Sequence, residues 1–211
     1  MKPAFVLMAM CFSLGAADVP KVTFSKSFPG STPPFVLISV DQNGAASYNE
    51  STDPDNAEKL TIEPAAARQI FDIAERLDHF KQPLESGLKV ANMGMKTLRW
   101  ESGDAKQEAK FNYSTLEDAK TLTDIFERIS DSTRMMVDLN RAIRHDRLGV
   151  NDATLRIQAA WDSKRLLATP QILPLLEQVA ANESYIHMAR ERAARIVDAI
   201  KAALNAREKP E

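Results

Sequence analysis

Three histidines and a scatter of carboxylates are the residues whose types and spacing could do chemistry in this chain. His79 follows Asp72 and Glu75 at helical spacing, which would set an imidazole and two carboxylates on one helix face, a donor set that zinc accepts. The same spacing makes Glu75 and His79 an ordinary i,i+4 pair on a solvated face, and that is the expectation. His187 stands between Glu183 and Glu191, four residues from each, and reads the same way. His145-Asp146 falls near the end of an expected helix, where a cation interacts favourably with the dipole. Asp53-Pro-Asp55-Asn56-Ala-Glu58 is acidic enough to suggest calcium, but it lacks the glycine and distal glutamate of an EF-hand loop, so a solvated loop is expected. There is no Gly-x-Ser-x-Gly nucleophile elbow. The 7 glycines are not clustered, which excludes a glycine-rich phosphate loop. Trp100 and Trp161 read as core residues, and the Arg190, Glu191, Arg195 face as a solvated helix surface. No catalytic, cofactor-binding or metal-ligating residue is therefore assigned, and no cofactor.

The elements that would position any site are better defined than the site. Met95–Glu101 and Lys106–Tyr113 alternate around Gly103-Asp104, a pair suited to a two-residue hairpin turn. That turn sets Leu98 opposite Ala109, Trp100 opposite Gln107 and Lys96 opposite Phe111. On the other face it pairs Arg99 with Glu108 and Glu101 with Lys106, and a one-residue slip loses both pairs. A second hairpin joins Phe35–Val40 to Ala46–Tyr48 through Asp41-Gln-Asn-Gly44. A bulge at Gly44 puts Val40 against Ala46 and Ile38 against Tyr48. Val22-Thr-Phe24 is expected as a short edge strand and Leu60–Ile62 as a brief one. Pro64–Phe80 carries apolar residues at helical spacing, with proline tolerated at its first position. Ser114-Thr-Leu-Glu117 matches a capping box opening a second helix. The order predicts an α+β fold: an antiparallel sheet from two hairpins, each followed by a helix (ββαββα), over residues 18–130. Residues 131–206 predict an all-helical extension with helices near 132–148 (stopped by Gly149), 152–168 (capped by Asn151), 170–181 and 183–206, and residues 207–211 a frayed tail. The last helix is expected to bury the stripe Ile186, Ala189, Ala193, Ile196, Val197, Ile200 and Leu204 against the Ile172–Val179 segment as an αα-hairpin.

Met1-Lys2-Pro3, the apolar run Ala4–Leu14 and Gly15-Ala16-Ala17 form a secretory signal peptide pattern, with cleavage expected after Ala17. The one cysteine, Cys11, lies within it, so the mature chain is expected to carry no disulfide. A formal net charge of −2 and a pI of about 6.0 lack the basic footprint of a nucleic-acid binder.

Residues 22–129 resemble a family of secreted bacterial domains whose function is unassigned. Val22-Thr-Phe24, Gly30-Ser-Thr-Pro33-Pro-Phe35, the strand with Asp41-Gln-Asn-Gly44 and Tyr48, and Leu77-Asp-His-Phe80 carry the likeness. The resemblance implies secretion and the α+β fold. The family's cysteine pair falls at Phe28 and Thr32 here, so no thiol role carries over. Together these features predict an exported, periplasmic or extracellular, non-catalytic interaction or binding module acting on an unidentified protein partner, with no nucleic acid and no integral membrane span. Two alternatives stand beside it: an envelope enzyme whose site is assembled from distant residues, and small-ligand binding in a cleft between sheet and helices.

Overall fold

The computed structural model describes residues 19–208, and the signal-peptide pattern of residues 1–17 lies outside them. Six strands, β1 (Lys21–Ser27), β2 (Phe35–Asp41), β3 (Ala45–Asn49), β4 (Glu58–Thr61), β5 (Met95–Ser102) and β6 (Ala105–Phe111), form one antiparallel sheet in the order β4-β3-β2-β1-β5-β6. Five helices accompany it: α1 (Pro64–Arg76), α2 (Glu117–His145), α3 (Gly149–Asp162), α4 (Thr169–Ala181) and α5 (His187–Glu208). Both expected hairpins have the expected register, Leu98 facing Ala109 and Ile38 facing Tyr48. Arg99 reaches Glu108 at 2.9 Å and Lys106 reaches Glu101 at 3.3 Å. Gly44 is required in its turn. Its φ is +85°, and a Cβ there would sit 2.9 Å from the Ile62 carbonyl oxygen.

The sheet departs from the ββαββα pattern because four strands, not two, precede α1. Val22-Thr-Phe24 is no edge. β1 pairs with β2 on one side and β5 on the other, and Phe24 faces both Ile38 and Leu98. Val22 and Phe24 point with Val36, Ile38, Val40, Leu98 and Phe111 into a core covered by α1 and the first half of α2. The opposite face carries Thr23, Ser39 and Thr97, with a 3.3 Å hydrogen bond from Thr23 Oγ1 to Ser39 Oγ.

Helix boundaries shift for local reasons. α1 stops at Arg76 because Asp78, His79 and Phe80 turn left-handed, with φ of 49°, 54° and 66°, and so bury Phe80. The capping box does not form. Leu116 is the residue before α2, while Ser114 Oγ accepts the Leu116 N–H at 3.3 Å and Glu117 pairs with Lys120. Gly149 opens α3 rather than ending a helix. Its N–H donates to Asp146 Oδ1 at 2.9 Å, and a Cβ there would overlap the same carboxylate. α5 starts at His187, not residue 183, so Ile186 of the expected stripe lies before the helix and stays exposed.

Residue 130, the expected end of the α+β unit, lies inside α2, which continues unbroken through it. Leu122, Phe126 and Ile129 serve the sheet core. Leu139 and Ala142, one further stretch along the same helix, serve a second core with α3, α4 and α5. Met136 packs against both. The α4–α5 pairing forms as expected, joining Ile172, Leu176 and Val179 to Ala189, Ala193 and Ile196.

Tyr48 offers a test of the sheet core. It is buried, and burial followed by the 2.7 Å hydrogen bond it donates to Glu50 Oε1 pushes its phenol well above the usual range. The folded chain then keeps a proton that the unfolded chain releases near pH 10. This contribution is fully present below about pH 10 and is lost as pH rises from there toward the folded value. Urea midpoints should therefore fall more steeply above about pH 10 in the wild type than in Tyr48→Phe. At neutral pH the substitution should cost about 1 kcal/mol.

Candidate functional site

A cleft of about 590 Å3 lies where the two cores meet, and its walls come from four parts of the chain. α1 contributes Ala65, Ala66 and Gln69, and α2 contributes Ile125 and Arg128. The end of α3 and the loop after it contribute Trp161, Asp162, Lys164, Leu166 and Leu167, and α5 contributes Ile200, Ala203 and Leu204. The surface is mixed, with Trp161, Ile200 and Leu204 on one side and the polar side chains of Glu63, Gln69, Arg128, Asp162, Lys164 and Thr169 around them.

Glu63 closes one end. As the residue before Pro64 it is held extended, at φ −60° and ψ 138°, and its carbonyl accepts the Ala66 and Ala67 N–H groups that begin α1. Its side chain turns inward, only 7% exposed. Oε1 accepts from the Thr169 N–H at 3.2 Å and from its hydroxyl at 2.7 Å, tying the start of α1 to the start of α4. Oε2 has no hydrogen-bond partner among the described residues. The Arg128 Nε in the same wall also lacks one, while its Nη2 donates to the Lys164 carbonyl at 2.8 Å. Two of the cleft's polar side chains therefore keep an unused hydrogen-bonding atom each. Such atoms are uncommon in folded chains because leaving one buried and unpaired costs about 1–3 kcal/mol.

Trp161 is positioned by the way α3 ends. Lys164 adopts a left-handed φ of 57°, its N–H donating to the Trp161 carbonyl at 2.9 Å and the Arg165 N–H to the Ala160 carbonyl at 2.8 Å. This is the Schellman pattern, in which the left-handed residue is usually glycine. It cuts short the helix expected over 152–168 and swings Leu166 and Leu167 into the cores. A lysine carries a steric penalty there, so Lys164→Gly should stabilise the fold by about 1 kcal/mol, read as a higher thermal midpoint.

Of the residues singled out by sequence, all but Trp161 lie elsewhere. His79 sits in the left-handed turn with its ring 4.3 Å from that of Trp100, so it never joins Asp72 and Glu75 on one helix face. Trp100 is half-buried against the sheet core, and Trp161 lines the cleft. His145 is exposed in the last turn of α2. His187 pairs with Glu191 at 3.1 Å on an exposed stretch of α5. Asp53 is occupied within its own loop, Oδ1 accepting the Asp55 N–H at 3.0 Å and Oδ2 the Asn56 amide at 2.9 Å. Among the described residues no group of three or more His, Cys, Asp or Glu is placed to hold a metal ion. Ser86-Gly-Leu-Lys89 is a Ser-x-x-Lys string, but it lies in an irregular loop, where Ser86 Oγ bonds Glu85 Oε1 and the Leu88 N–H. Glu63 is the site residue that the sequence does not reveal. Its one sequence signal is its type, since asparagine, aspartate, serine and threonine are the side chains favoured at the residue before a helix.

Among the described residues no helix is long and apolar enough to cross a membrane. No family model matches the chain, and no curated protein matches it.

Proposed function

We propose that this chain is an exported, non-catalytic binding protein that holds a small amphipathic molecule in the cleft among α1, α2 and α5. The observation that carries the reading is the pairing of an apolar wall, Trp161, Ile200 and Leu204, with a buried carboxylate that has a free oxygen. The non-catalytic reading rests on the sequence, which carries no nucleophile elbow and no clustered phosphate-loop glycines. Export rests on the residue 1–17 pattern and on the resemblance over residues 22–129.

Ala66→Trp tests the reading by filling the cleft from the α1 wall. Native mass spectrometry of protein recovered from its own source should show a small-molecule adduct on the wild type and none on Ala66→Trp. Adducts on both proteins, or on neither, would count against it.

A protein partner is the second reading. Leu88, Val90, Met93 and Met95 favour it, because they leave apolar side chains exposed along one stretch. A crosslinked pull-down of residues 18–211 should then yield one stoichiometric protein that Leu88→Ser and Met93→Ser both release. Capture unaffected by those changes would remove this reading.

A further inference from the structure

Resting on the cleft-binding reading, we infer that the molecule held there is a primary amine with an apolar body, its ammonium group bound by Glu63 Oε2. Glu63 is the one carboxylate of the site withdrawn from water, at 7% exposed. Two neutral donors, both from Thr169, serve its Oε1, and nothing among the described residues serves its Oε2. Arg128 lines the same wall, but its Nη2 is held by the Lys164 carbonyl and its Nη1 lies 4.0 Å from Asp124, and none of its nitrogens bonds Glu63. A carboxylate left in that state calls for a donor, and a cationic donor forms the strongest bond to it. Oε2 is covered in this structure, and turning it toward the cleft draws Oε1 off Thr169, so the charge-assisted bond to the ammonium must replace two neutral ones. Opposite it, Trp161, Ile200 and Leu204 offer aromatic and aliphatic surface to the rest of the molecule. Arg128 and Lys164 also line the wall, and they are the reason an anionic head group must be tested beside the amine.

The test is a titration of three probes that share one tail, hexylamine, hexanol and hexanoate, read by tryptophan fluorescence. It is run in a Trp100→Phe background so that Trp161 alone reports. The amine should bind about tenfold more tightly than either of the others, the difference a charge-assisted hydrogen bond makes. In Glu63→Gln the amide oxygen keeps both Thr169 bonds, while the free position changes from acceptor to donor. Amine affinity should then fall about tenfold with hexanol affinity unchanged, which also shows that the cleft remains intact. Equal affinity for all three probes, abolished by Ala66→Trp, would overturn the amine assignment and leave the cleft reading standing. Preference for hexanoate would overturn it in favour of Arg128 and Lys164. No response of Trp161 to any probe would overturn both.

Discussion

Phe126→Ala should be the most damaging single change in the sheet core, lowering stability by about 3–5 kcal/mol. Phe126 is fully buried on α2, stacked on Phe24 of β1 with ring centroids 5.1 Å apart and planes within 8°. It is therefore the point at which the long helix grips the central strand. Removing the ring leaves a cavity that neither element can collapse into, because β1 is held on both sides by β2 and β5. The loss is a large share of the roughly 5–15 kcal/mol that a folded domain possesses. Urea unfolding should show a lower midpoint at an unchanged slope, and Phe126→Leu should recover more than half of the difference.

Arg192→Ala should cost about 3 kcal/mol through hydrogen bonds and a cavity together, without breaking any ion pair. Arg192 is 7% exposed on α5. Its Nη1 donates to the Asn151 carbonyl at 3.0 Å, to Asn151 Oδ1 at 2.8 Å and to Thr154 Oγ1 at 3.1 Å, and its Nε donates to Gln158 Oε1 at 3.2 Å. These acceptors all belong to α3, so one guanidinium docks the C-terminal helix onto it. Arg192→Lys should restore only part of the loss, because a single ammonium cannot reproduce the fork. Amide hydrogen exchange should speed up along α5 first. Since α5 supplies one wall of the cleft, ligand affinity should fall in the same variants.

The hairpins were legible because their determinants are local. Gly103-Asp104 and Gly44 fix the turns, and the turns fix every pair that follows. The place of β1 was not legible. Lys21 and Lys26 make the strand look like an edge, while its second neighbour, β5, begins about 70 residues further along the chain. Lys26 resolves the conflict by pairing with Glu127 of α2 at 2.7 Å, a partner no local pattern points to. Lys96, expected opposite Phe111, is buried there because its ammonium donates to the Gly94 and Asn112 carbonyls at 3.1 and 2.9 Å. In the helical half, the apolar stripe of α5 was plain from its spacing. The buried Arg192 beside it was not, because its acceptors come from another helix.

The cleft was illegible for the same reason on a larger scale. Glu63 reads only as the residue before a helix-opening proline, and its partner Thr169 is 106 residues away. Trp161 reads as core until the left-handed Lys164 ends α3 three residues later. The chemistry of a histidine is visible in isolation, whereas Glu63 gains its character from burial that the whole fold creates.

Amide chemical-shift mapping of the isotope-labelled chain against a library of small amphipathic fragments tests the central claim most directly. Binding in the cleft should move the Ala65, Gln69, Ile125 and Leu204 amides together with the Trp161 indole N–H, and Ala66→Trp should abolish those shifts. Shifts confined to other surfaces, or the same pattern persisting in Ala66→Trp, would contradict it.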